Sequence, residues 1–139
     1  CGQCSFKVTY ETNNRAHLLK MPAKYDDMKK VPLEECFCEG CKGENISGQC
    51  DIKDCASAKW YLSCADCTNF PCTLIDNFAK DGIPHHSWGV MNLHSIKQKG
   101  LQSLFEEFQQ QIICSCGEKL SWYYQCTVCV KSALTTKKE

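Results

Sequence analysis

No apolar run in this 139-residue chain approaches the roughly 18 to 20 residues that a membrane-crossing helix needs, so a soluble protein is expected. An excess of either charge is missing as well. Sixteen lysines and arginines stand against sixteen aspartates and glutamates, which leaves no broad positive field to collect nucleic-acid backbones or anionic lipid. Thiolates bound to a metal would tip that balance further toward negative. Catalytic signatures are scarce too: there is no Ser-His-Asp order, no phosphate-cradling glycine loop and no His-Glu-x-x-His. No charged start, apolar middle and small-residue cleavage site is present, and the chain opens on Cys1 rather than methionine. A lipidated first cysteine is one reading of that opening, but Cys4 stands at ligand spacing from Cys1 and favours a metal knuckle.

Sulfur is what the chain has in excess, with fourteen cysteines, most of them in close pairs. Cys1/Cys4, Cys38/Cys41, Cys64/Cys67 and Cys126/Cys129 are separated by two residues, and Cys36/Cys38 and Cys114/Cys116 by one. A cysteine share of about one in ten is also the mark of a disulfide scaffold. Cysteines this close bond to each other only in short, strained rings, whereas two such thiolates chelate one tetrahedral ion without strain, so the spacing favours metal over seven bridges. Asn45-Ile46-Ser47 fits the glycosylation triplet, a pattern too common by chance to decide the compartment.

Apolar residues are unevenly placed. Residues 33 to 72 are rich in Cys, Gly, Glu, Asp and Lys, and this stretch is expected to depend on metal for its fold. The spacing predicts a short helix from Arg15 capped by Asn14, and another over Ala23 to Lys30 with Pro22 at its start. Gly40, Gly43 and Gly48 suit a loop wrapped around an ion. Asp54 is read as the cap of a helix running through Ala56, Ala58, Trp60 and Leu62, and Pro71 opens a helix carrying Leu74, Ile75 and Phe78. Leu93, Ile96, Leu101, Leu104, Phe105, Phe108 and Ile112 recur at helical spacing, interrupted at Gly100, and read as a core-facing stripe. The tail holds two knuckles nine residues apart, Cys114-Ser-Cys116 and Cys126-Thr-Val-Cys129, with Trp122, Tyr123 and Tyr124 between them. That pattern predicts a small zinc-ribbon-like β-hairpin.

The expected fold is therefore small, metal-stabilised and mainly α, with irregular cysteine-rich loops and a C-terminal zinc-ribbon-like β-hairpin. Its expected segments are a metal-binding region at residues 1–84, an amphipathic helical segment at 85–112, the ribbon at 113–130 and a flexible tail at 131–139, all within one compact unit.

The order Cys1-Gly2-Gln3-Cys4, Cys38-Glu39-Gly40-Cys41, Cys50-x4-Cys55-Ala56 and Cys64-x2-Cys67-x2-Phe70-Pro71-Cys72 resembles the prokaryotic family known as domain of unknown function 3795. The first knuckle is one residue shorter than that family's Cys-Gly-x-x-Cys. Pro84-His85, Asn92-Leu93, Ile96 and Gly100, followed by Leu120-Ser-Trp122, look like its longer members. The resemblance implies a cytoplasmic, cysteine-rich, metal-binding domain and supplies no reaction; Cys36 looks like an addition to the pattern.

Thirteen cysteines are the candidate metal ligands. Sequential pairing assigns Cys1, Cys4, Cys38 and Cys41 to one ion and Cys50, Cys55, Cys64 and Cys67 to another, while cross-brace pairing is equally legal by spacing. Cys114, Cys116, Cys126 and Cys129 make a further set. Cys72, at a helix start, is read as a ligand ahead of a buried small residue or a reactive thiol. His85, His86 and His94 read as packed or solvated rather than ligating. Two to three zinc ions follow, with an iron–sulfur cluster in electron transfer or redox sensing as the alternative. The leading function is a zinc module that engages another macromolecule, a protein in preference to nucleic acid, with no membrane partner, an unspecified oligomeric state and no catalytic residues. Enzyme action through Cys72 or a histidine near residue 85 ranks third.

Overall fold

The computed structural model describes residues 2–44, 49–126 and 128–129. Cys1, the Asn45-Ile46-Ser47 triplet and the tail from 130 lie outside the described residues. The chain divides into two compact units, Cys1–Gly48 with Phe108–Glu139, and Gln49–Glu107.

In the first unit Cys4 has extended backbone and leads into α1 (Ser5–Thr12), which buries Ser5, Val8 and Thr9. Asn13 stops α1 in the left-handed region at φ 52°, a conformation that asparagine tolerates. The Asn14 side-chain oxygen then accepts the Ala16 N–H at 3.0 Å and starts α2 (Ala16–Leu19), which buries His17 and Leu18. The short helix expected here therefore forms, one residue later than its predicted start.

The helix expected over Ala23 to Lys30 does not form. Two 3-10 turns, Ala23–Tyr25 and Met28–Lys30, replace it, and neither buries a residue. A helix without an apolar face gains nothing from packing. Arg15 also donates its guanidinium N–H groups to the carbonyls of Lys29 and Val31, which holds this segment out of a regular helix.

The C-terminal β-hairpin is likewise absent. Among the described residues there are no strands; an isolated antiparallel bridge pairs Ile113 with Lys119. The expected alternation of Trp122, Tyr123 and Tyr124 fails because their backbone donors go elsewhere. Trp122 N–H bonds Gln3 C=O at 3.0 Å and Tyr124 N–H closes a turn onto Ser121 C=O at 3.2 Å. Tyr124 enters a small core with Cys114, Leu120 and Cys126, against which Ala16 and Cys129 pack.

In the second unit α3 (Asp51–Ala58) begins at Cys50 and not at the predicted Asp54. It ends four residues short of Leu62, because Trp60 N–H bonds Ser57 C=O and Tyr61 N–H bonds Ala56 C=O, each at 3.0 Å. These bonds form a Schellman cap with Trp60 at φ 58° in the position that glycine normally takes. Trp60 is 94% exposed, so it gains almost no burial in exchange for the left-handed backbone. Trp60→Gly is expected to stabilise the chain by about 0.5–1 kcal/mol in denaturant melts, the strain relief exceeding glycine's extra entropy cost.

α4 (Thr73–Ala79) follows Cys72, and α5 (Pro84–Lys99) carries Pro84 in its first turn. The expected stripe is cut at Gly100, whose φ of 87° ends α5 before α6 (Leu101–Gln111) begins. The break rotates part of the stripe outward. Leu104 is buried, whereas Leu101 and Phe105 are exposed. Phe70, Ile75 and Val90 form this unit's core, with Ile52, Phe78 and Leu93 packed on it. Among the described residues no helix is long and apolar enough to cross a membrane.

Candidate metal centre

Cys114, Cys116, Cys126 and Cys129 bring their four Sγ atoms within 4.8 Å of one another. The approach is made by two backbone turns. Gly117 N–H bonds Cys114 C=O and Cys114 N–H bonds Glu118 C=O, each at 2.8 Å, folding the first knuckle back on itself. In the second knuckle the Cys129 N–H donates to Cys126 Sγ at 3.3 Å. Cys116 and Cys126 Sγ are 3.4 Å apart, and Ser115 Oγ stands 3.7 Å from Cys129 Sγ. Four thiolates at about 2.3 Å from one tetrahedral ion would be about 3.8 Å from each other, so this set fits a single ion.

Hydrogen bonding among the sulfurs drives Cys114 and Cys116 in opposite directions. The Cys116 N–H, and then hydrogen bonds from the Cys129, Cys126 and Cys116 thiols, pull the Cys114 thiol down to about 6 despite desolvation. The Glu118 N–H also favours the Cys116 thiolate, yet hydrogen bonding with Cys126, desolvation, and hydrogen bonding with Cys129 and Cys114 push that thiol up to about 12.

A buried polar chain fastens this centre to α1 and α2. Ser5 Oγ–H donates to Ser121 Oγ at 3.3 Å, and Ser121 Oγ shares a hydrogen bond of 2.8 Å with His17 Nδ1. The His17 ring lies 4.1 Å from that of Tyr124, whose hydroxyl donates to Glu118 at 3.2 Å. Burial holds the His17 imidazole down to about 4, against the pull of Glu118 and with the help of Lys119. The sequence carried no signal for this chain, because 104 residues separate His17 from Ser121.

The other predicted ligands fall into two neighbourhoods. In the first unit Cys4 sits before α1, where the Lys7 and Phe6 N–H groups favour its thiolate, although burial raises the thiol overall and the nearby Cys38 adds to that. Cys38 is buried and Cys41 exposed, on a loop tied to α1 by Lys7 Nζ donating to Glu39 C=O at 2.9 Å. Cys36 lies apart, its thiol directed at Val31 C=O at 3.8 Å. Gly43 closes the loop, its N–H bonding Gly40 C=O at 2.8 Å. A Cβ on Gly43 would meet Glu39 Cβ at 2.4 Å, so Gly43→Ala must displace the loop. It is expected to cost about 1–3 kcal/mol in melts, more than the same change at Gly89, where the nearest atom is 3.9 Å away.

In the second unit Cys55, Cys64, Cys67 and Cys72 line an open cavity whose remaining walls include Ile52, Phe70, Leu74 and Ile75. Burial raises the Cys64 thiol, and the charges of Cys55, Cys72, Cys67 and Cys50 add to the rise, which places all five sulfurs in one electrostatic neighbourhood. Cys64 stands on a 3-10 turn (Cys64–Asp66) with a capping box: Ser63 Oγ accepts the Ala65 N–H, and Asp66 accepts the Ser63 N–H. Lys97 Nζ donates to the carbonyls of Ala65 at 3.3 Å and Cys67 at 3.2 Å. Cys55 and then Cys67 draw the Lys59 ammonium toward the rim and raise its pKa. Neither lysine was singled out from the sequence, which carries no mark of a cation folded onto these carbonyls.

The histidines have packing partners. His86 Nδ1 is 2.7 Å from Asp81 and its ring stacks on Phe78 at 3.8 Å, while His94 lies 4.8 Å from the Phe70 ring. Among the described cysteines there is no disulfide, and among the described residues the C-terminal quartet alone gathers three or more ligands so closely.

Fold and centre together define a small, mainly helical, cysteine-rich chain with a four-cysteine cluster that could hold a metal ion. The chain belongs to the family described as "Protein of unknown function (DUF3795)", whose profile matches residues 1–77, more than half of its length. The match covers the cysteines up to Cys72 and leaves the C-terminal quartet outside it. No curated protein and no solved structure matches the chain significantly.

Proposed function

We propose that the chain is a zinc-binding module in which the ions hold the first unit in shape and the surface engages another macromolecule. The observation that carries this reading is the convergence of four sulfurs within 4.8 Å on turns whose N–H groups stabilise thiolates. Zinc suits such a set because it imposes no geometry of its own beyond the tetrahedron. Four thiolates leave no open position for water, so the ion is structural rather than catalytic. In this reading Cys4, Cys38 and Cys41 are ligands of a second ion, with Cys1 assigned to it by sequence spacing alone.

The partner in this reading is a protein. Balanced charge argues against phosphate backbones, and the exposed Trp60 and Leu62 offer apolar area of the kind that anchors protein contacts. Metal analysis of protein purified without added metal tests the proposal. About two zinc per chain, with loss of structure on chelation, is the expected result. Less than one zinc per chain and no response to chelator would sink it.

A further inference from the structure

The thiols of the second unit are arranged differently from the C-terminal quartet. The quartet converges on a point, whereas Cys55, Cys64, Cys67 and Cys72 stand around an open hollow and do not gather so closely. An iron–sulfur cluster holds its cysteine sulfurs further apart than one ion does, because an inorganic core of iron and sulfide lies between them. We propose that this cavity binds an iron–sulfur cluster through Cys55, Cys64, Cys67 and Cys72.

The surroundings match what such a cluster requires. Cys64, Cys67 and Cys72 pack against the apolar core of Phe70, Ile75 and Val90, which keeps water from the inner face of the cavity. The capped turn at Ser63 fixes Cys64, and the Lys97 ammonium holds the Ala65 and Cys67 carbonyls while lying 5.7 Å from the centre of the Phe70 ring. Lys59 brings a second positive charge to Cys55 and Cys67, favourable beside a cluster that carries net negative charge with its thiolates. Cys50, the N-cap of α3, has a charge that reaches Cys64 but does not stand on the cavity wall, which leaves it out of the proposed ligand set. The two-residue and four-residue gaps of Cys64, Cys67 and Cys72 are ones that iron–sulfur proteins use.

The cluster site does not depend on the zinc reading, and one set of preparations separates the two. The full chain is purified without oxygen and incubated with ferric salt, sulfide and a thiol reductant. Iron, acid-labile sulfide and zinc are then counted. A brown protein is expected, with iron and labile sulfide in equal amounts and visible absorption bleached by dithionite. Cys64→Ser and Cys72→Ser are each expected to lose about tenfold of the bound iron while keeping the zinc of wild type, which shows that the first unit still folds. Cys50→Ser keeps the colour. A Cys114→Ser/Cys126→Ser double variant loses about one zinc per chain and keeps the cluster. Wild-type protein that takes up no labile sulfide overturns the proposal whatever the variants do. So does a cluster that survives Cys72→Ser and is lost in Cys50→Ser. Zinc missing from wild type with the cluster present overturns only the zinc reading.

Discussion

Cys126→Ser is expected to lower the zinc content by about one ion per chain and to unfold the C-terminal turn with it. Cys126 is 1% exposed and packs with Cys114, Leu120 and Tyr124, so the same side chain is a proposed ligand and a core residue. A structural four-thiolate zinc supplies roughly 10 kcal/mol or more of apparent binding free energy in small domains. Losing one of four thiolates forfeits several kcal/mol of that, and the serine hydroxyl is a poor substitute for a buried sulfur. The check is paired: zinc counted by elemental analysis, and thermal melts with and without chelator. Wild type should melt lower with chelator, and the variant should melt low in both. Identical melting of the two proteins with zinc present would show that the quartet does not hold the fold.

Acidification should destabilise the chain through His17. Its imidazole is buried and held down to about 4, whereas an unfolded histidine titrates near 6.5. Above about 6.5 both states are neutral at this residue and it contributes no pH dependence. Between about 6.5 and about 4 the unfolded chain binds the additional proton, so stability falls as the pH falls, by at most about 3 kcal/mol in total. Below about 4 the folded state takes up the proton too and the slope from this group ends. His17→Gln removes that slope. Comparing urea melts of the two proteins at pH 7 and pH 5 separates it from proton competition at the thiolates, which both share. Parallel loss of stability in both proteins would rule out His17 as the source.

The pairing of cysteines in sequence was a sound guide to the C-terminal quartet because a knuckle is local. Two or three residues set its turn, and nine residues between Cys116 and Cys126 suffice to bring the knuckles together. The same rule misjudged the segment between them. β-forming aromatics predict strands only if their backbone groups have a ladder to join, and Trp122 finds its acceptor at Gln3, more than a hundred residues away. Helix limits failed for related reasons. The left-handed Trp60 that ends α3 violates the preference that would have placed a stop at glycine. Residues 23–30 have helical propensity, and the absence of an apolar face left it unsupported.

From the amino-acid order alone came a mainly helical chain, its family and a metal-ready set of thiols, since turn propensity, cysteine spacing and a capping asparagine all act over a few residues. Tertiary structure decided the rest: that the C-terminal segment forms turns instead of a hairpin, that four sulfurs converge while four others surround a hollow, and that a buried histidine braces the first group. Those outcomes depend on which backbone donors meet which acceptors and which faces become buried, and such pairings between distant residues leave no mark in local spacing.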